Sequence, residues 1–107
     1  MSQKYTMLDS NKVEWKKATA SFYPSGVQEK ILHQDKKTGA IFAQVEYPAG
    51  VTGNAHTHPN ANEVGFILEG DSKGVFAFTP KGTSHGRISE TPLKKETTVL
   101  LYWDGPR

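Results

Sequence analysis

From Phe22 to the end of the chain, short segments rich in aromatic and β-branched residues alternate with Gly, Pro and charged turns, and no stretch sustains a helical period. Such a chain buries its apolar side chains by pairing strands. The strand candidates are Val27 to Leu32, Ile41 to Tyr47, Glu63 to Leu68, Val75 to Thr79 and Thr97 to Trp103. Within the second of them, Ile41, Ala43, Val45 and Tyr47 share one face, and Pro48-Ala49-Gly50 stops the run. The pattern predicts an all-β sandwich or barrel. A length of 107 residues allows one domain with one core. Residues 1–21 are polar apart from a short alternation at Val13 and Trp15, and read as an arm or edge strand packed on a domain of residues 22–107.

Several function classes fall away on composition. The chain has no Cys, so a metal must be held by His, Asp or Glu, and thiolate chemistry is excluded. Its 13 basic and 11 acidic residues are scattered, never more than two basic ones adjacent, which is not the patch or stripe of a nucleic-acid binder. No apolar run approaches the ~18 residues of a membrane span, and the polar start MSQKYTMLDSNKVEWKK lacks the apolar stretch of a signal peptide. A cytoplasmic protein is expected.

Three of the four histidines carry the chemistry. His56-Thr57-His58 places two imidazoles at i and i+2, on one face of an extended strand. Pro59-Asn60-Ala61-Asn62 forms a turn that can bring Glu63 back to that face, and Pro80-Lys81-Gly82-Thr83-Ser84 makes a second turn ending at His85. Three neutral nitrogens and one carboxylate are thereby on offer. Taken singly, a His-x-His is most often surface decoration and a turn glutamate is solvated; only the joint arrangement points to a metal. His33 has no partner motif and reads as a surface or cavity-rim histidine.

With these residues in place, the sequence resembles the cupin superfamily. Gly50, His56-Thr57-His58, Glu63 and Gly70 stand at the spacing of its first motif, and Gly74, Pro80, Gly82 and His85 at that of its second, with Ser89 where Asn is usual. Residues 22–107 look like the small cupins grouped with β-diketone-cleaving dioxygenases and related metal-binding regulatory cupins. The resemblance implies a jelly-roll barrel holding one divalent transition metal per chain by His56, His58, Glu63 and His85. In some β-diketone-cleaving relatives three His alone bind the metal, so Glu63 is read either as a ligand or as a general base. One departure is large: only Asp71, Ser72 and Lys73 separate Gly70 from Gly74, where most cupins carry a whole further hairpin. Either the barrel is shortened by one hairpin, with Glu63 to Leu68 and Val75 to Thr79 forming one ladder closed at 71–73, or a segment is missing between Gly70 and Gly74.

Imidazole and carboxylate donors suit Fe(II), taken as first choice by resemblance, as well as Mn(II), Ni(II), Co(II) or Zn(II). The implied activity is a dioxygenase that uses O2 on a small enolisable or aromatic substrate; the alternative is a non-catalytic metal-binding or ligand-sensing cupin. If the strand begins at His85, Arg87 and Ser89 point inward with it. Arg87 then reads as a partner for an anionic substrate, or else as a rim salt bridge to Glu69 or Glu90. Tyr47, Phe66, Phe76, Phe78 and Tyr102 read as core and wall. With Glu63 facing the metal, regular alternation turns Gly65, Ile67 and Glu69 inward and Val64, Phe66 and Leu68 outward. A barrel lacking one hairpin leaves an edge and apolar wall to cover, so a homodimer formed by edge pairing or arm exchange is expected.

Overall fold

The computed structural model describes residues 5–53, 55–85 and 92–107. Its six strands are β1 (Lys16–Lys17), β2 (Gln28–Gln34), β3 (Ile41–Tyr47), β4 (Glu63–Glu69), β5 (Phe76–Thr79) and β6 (Thr97–Trp103). They form one antiparallel sheet in the order β1-β2-β3-β6-β4-β5, so the last strand inserts between β3 and β4. Among the described residues the helical content is one 3-10 turn, Ser10–Lys12, and no helix is long and apolar enough to cross a membrane.

Alternation builds the core. Ile41, Ala43 and Val45 of β3 lie opposite Trp103, Leu101 and Val99 of β6, and all six are buried. Ile67 of β4 extends the row, and Tyr23, Val27 and Ala61 join the same cluster from outside these strands. Beyond the strands, Gly50 N–H bonds Leu93 O (2.7 Å), Leu93 N–H bonds Val51 O (2.9 Å) and Gly82 N–H bonds His58 O (2.9 Å), so two further stretches of chain face each other.

The short link between the motifs is a tight turn. β4 and β5 pair from Glu63 opposite Thr79 to Phe66 opposite Phe76. Gly74 N–H then closes on Ile67 O at 2.9 Å, with both Gly70 and Gly74 at positive φ. Asp71 fastens this turn to the approach to β6, accepting from the backbone N–H of Lys94 (2.8 Å) and Lys95 (3.1 Å). The expected ladder is present, with Gly70 and Gly74 joined by one compact turn.

Two expectations need correction. Glu63 and Ile67 face inward as expected, whereas Glu69 does not. Ile67 lies opposite Val99 but Glu69 opposite Thr98, so Leu68 is an extra residue that reverses the alternation. Glu69 is thereby exposed and paired with Lys73 at 3.1 Å. The second correction concerns the aromatics. Tyr47 packs against the core, but Phe66, Phe76, Phe78 and Tyr102 are exposed, because they occupy the outward positions of their strands. His33 is exposed on β2.

At the other edge, Lys16 and Lys17 of β1 pair with Glu29 and Gln28 of β2. Lys30 Nζ lies 4.5 Å from the centre of the Trp15 ring and reaches Ser10 O at 2.8 Å.

Candidate metal centre

His56 and His85 exchange backbone hydrogen bonds, His56 N–H to His85 O at 2.7 Å and His85 N–H to His56 O at 2.8 Å. This reciprocal pair sets the two residues directly opposite each other on neighbouring backbones. Extended chain turns His58 to the side of His56. Glu63 opens β4, between Thr79 of β5 and Trp103 of β6. The sheet thus supplies the carboxylate and the two facing segments supply the imidazoles.

The four side chains converge. One ligand atom from each of His56, His58, Glu63 and His85 lies within 4.8 Å of all the others. The ring centroids stand 4.8 Å apart for His56 and His58, 4.5 Å for His56 and His85, and 5.1 Å for His58 and His85. Glu63 Oε2 is 3.0 Å from His85 Nδ1, and its Oε1 is 3.3 Å from His58 Nε2.

Burial governs the charges here. It pushes His58 down to about 4, helped by the neighbouring His56 and His85. His85 is lowered for the same reasons, burial first and then His56. Burial raises the Glu63 carboxyl to about 7 against the opposing hydrogen bond from Trp103. His58 and His85 are therefore held neutral and have lone pairs to give.

A cation answers a local deficit. Nε2 of His58 and Nε2 of His85 are buried without a hydrogen-bond partner, since His58 Nε2 is near Glu63 Oε1 but not oriented to bond it. A buried polar atom left so costs ~1–3 kcal/mol, which is why such atoms are rare in folded proteins. Three imidazoles and one carboxylate in this geometry fit a divalent transition ion, and the donor types alone do not choose among Fe, Mn, Ni, Co and Zn.

Behind these side chains stand residues that sequence reasoning did not single out. Trp103 Nε1–H donates to Glu63 Oε1 at 2.7 Å. A backbone hydrogen bond between Arg107 and the His58 ring favours its protonated form. Arg107 is itself held by a bidentate pair to Glu29, at 2.8 Å for both contacts, and its guanidinium lies 4.8 Å from the centre of the Trp103 ring. Phe22 stacks on His56 at 4.9 Å and meets His58 edge-on at 4.8 Å, closing a flank of the site with an apolar ring. Strand alternation through Val99 and Leu101 would have turned Trp103 inward; for Phe22, Glu29 and Arg107 the sequence holds no local signal. Arg87 and Ser89 lie outside the described residues.

A family model described as the ChrR cupin-like domain matches residues 3–106. The chain belongs to the ChrR cupin-like family. Solved structures agree on the fold. A putative acetylacetone dioxygenase from Methylibium petroleiphilum PM1 is 21% identical with a TM-score of 0.78, over 98% of this chain and 80% of that one. KdgF from Halomonas sp. is 18% identical with a TM-score of 0.72, over 94% of both chains. A chain from the complex of Rhodobacter sphaeroides SigE with the anti-sigma ChrR is 20% identical with a TM-score of 0.61, over 87% of this chain and 50% of that one. No curated protein matches the sequence. At these identities the likeness of this ChrR-family cupin to its structural neighbours is one of fold, and its chemistry rests on its own residues.

Proposed function

We propose that this cupin holds one divalent transition ion by His56, His58, Glu63 and His85, Fe(II) being the first choice, and works as a dioxygenase on a small enolisable or aromatic substrate. The observation that carries the metal reading is the pair of buried, unpartnered Nε2 atoms of His58 and His85 inside a donor cluster 4.8 Å across. When bound, such an ion supplies Lewis-acid and redox chemistry at the coordination positions that the protein leaves open. Everything else is the work of the chain. The His56–His85 backbone pair sets the distance between two imidazoles, and the Arg107 backbone steadies the His58 ring. Trp103 holds one oxygen of Glu63 and leaves Oε2 for the ion, or for a proton of the substrate if three His suffice as ligands. Phe22 keeps water from one flank. Likeness of fold to a putative acetylacetone dioxygenase supports the choice of reaction class.

The family model supports a second reading, in which the same centre is a sensor and metal or ligand binding changes contacts with a protein partner. One experiment separates the two. Metal content by mass spectrometry is followed by oxygen-electrode assay of the Fe(II)-loaded protein against a panel of β-diketones. Oxygen uptake matched by product supports the dioxygenase. Tight metal without turnover supports the sensor, and a protein that retains no divalent metal overturns both.

A further inference from the structure

The outward positions of β3, β6, β4 and β5 line up into two cross-strand rows. In the first, Phe42, Tyr102, Val64 and Phe78 lie opposite one another in turn. In the second, Gln44 is followed by Leu100, Phe66 and Phe76 in the same way. Neither row contains a charge. Phe76 is 60% exposed, Phe78 57%, Phe66 41% and Tyr102 36%. With each aromatic side chain able to bury roughly 200 Å², these four and the half-exposed Val75 offer on the order of 450 Å² of apolar surface.

We propose that this outer face is a docking surface for a second copy of the chain, sheet against sheet, in a two-fold homodimer. The contact lies on the face of the sheet, and neither edge pairing nor exchange of the arm forms it. It is independent of the metal centre, which is built on the opposite, inward face.

Area supports a copy as the occupant. With the partly exposed Val64, Leu100 and Phe42 and a polar rim, the patch approaches the ~800 Å² per partner of a stable interface, of which a little over half is ordinarily apolar. Shape supports it as well. Apolar sheet faces pack on other apolar sheet faces about 10 Å away, and a second copy offers an identical one at equal concentration. Charge then selects the axis. The next outward row is Glu46, Thr98 and Glu69, the last paired with Lys73, and a two-fold running along the strands would lay the remaining acid, Glu46, on the partner's copy of this row. A two-fold running across the strands, between the two apolar rows, sends the acidic rows to opposite ends of the dimer. Each then approaches the end of the partner's sheet that carries the exposed turn lysines Lys36, Lys37 and Lys81. Asp104, at that same end, is already engaged by Asn62. This arrangement seats the first row of one copy on the second row of the other.

Light scattering of the full chain from micromolar to high micromolar concentration tests the proposal, with Phe76→Lys and Phe78→Glu as variants. Both positions are more than half exposed, so the variants should keep the wild-type fold by circular dichroism and lose only the stability that association adds. The wild type is expected to weigh as a dimer, and either substitution to raise its dissociation constant about a hundredfold or more, as for a central aromatic anchor. Lys17→Glu, on the edge strand β1, should leave the mass unchanged. A wild type that stays monomeric throughout overturns the proposal. A dimer indifferent to both Phe substitutions overturns it too, by placing the contact elsewhere.

Discussion

Trp103 Nε1–H donates to Glu63 Oε1 across 2.7 Å, joining the last core position of β6 to the first residue of β4. The indole is fully buried, and so the bond is sheltered from water. It occupies one carboxylate oxygen and leaves the other 3.0 Å from His85. Trp103→Phe keeps a ring in the core and removes only the donor group and part of its volume. Metal affinity should fall about 10- to 100-fold, the usual loss when a group behind a ligand is removed. The electronic spectrum of the Co(II)-substituted protein should shift as well, which a purely structural loss would not cause. Equal affinity and an unchanged spectrum would show that the indole does not position Glu63.

Divalent metal should stabilise the fold. A ligand that binds only the native state at a hundredfold excess over its Kd adds about 2.7 kcal/mol, which for a chain of this length raises Tm by roughly 10–20 °C. Differential scanning calorimetry with and without Fe(II) or Co(II) measures the shift. His56→Ala should abolish most of it, whereas His33→Ala, on the exposed part of β2, should leave it intact. A full shift in His56→Ala would remove that residue from the ligand set.

The two turn glycines should respond differently to the same methyl group. At Gly70 (φ 100°) an added Cβ would come within 2.5 Å of Glu96 O and Thr97 Oγ1, so Gly70→Ala requires backbone to move. At Gly74 (φ 90°) nothing lies within 4 Å, so only the conformational cost of positive φ remains. Urea unfolding should show Gly74→Ala losing about 1–2 kcal/mol and Gly70→Ala clearly more. The reverse order would mean that the turn differs from the one described.

Asp104 accepts from both the backbone N–H and the side-chain amide of Asn62, at 2.8 Å each, and these bonds hold its carboxyl below the usual range. A depressed native pKa favours folding above the unfolded pKa of about 3.9 and loses that contribution as pH falls through the native value. Asp104→Ala should therefore lower stability at neutral pH, by about 1 kcal/mol or less because the carboxylate is nearly bare to solvent. The difference from wild type should shrink in acid. A difference that is flat with pH would assign the effect to packing instead of charge.

Glu29 and Arg107 form an ion pair with little exposure on either side chain. Removing one partner of such a pair leaves the other charge buried, typically at a cost of 3–5 kcal/mol. Glu29→Ala should destabilise by about that amount in chemical denaturation. Because Arg107 also bonds the His58 ring through its backbone, metal affinity should fall with it. Unchanged metal affinity in a folded Glu29→Ala protein would separate the ion pair from the site.

What the sequence by itself determined is local. Period-two alternation located the strands to within a residue or two, because each segment declares its own buried face. The cluster of His56, His58, Glu63 and His85 was legible because the four sit in two short segments whose turns and spacing carry the information. The tertiary structure decided what depends on which strand lies beside which. The insertion of β6 between β3 and β4 brings Trp103 to Glu63, 40 residues away, and the Arg107 to Glu29 pair spans 78 residues. No local pattern specifies such pairs, since strand order and register are set by how the whole apolar surface is best buried. The bulge at Leu68 is of the same kind. It turns Glu69 out of the barrel through a one-residue slip against β6, to which a reading of β4 alone is blind. The outer aromatics complete the contrast: their alternation was visible, but only the assembled sheet left them uncovered and aligned them into two rows.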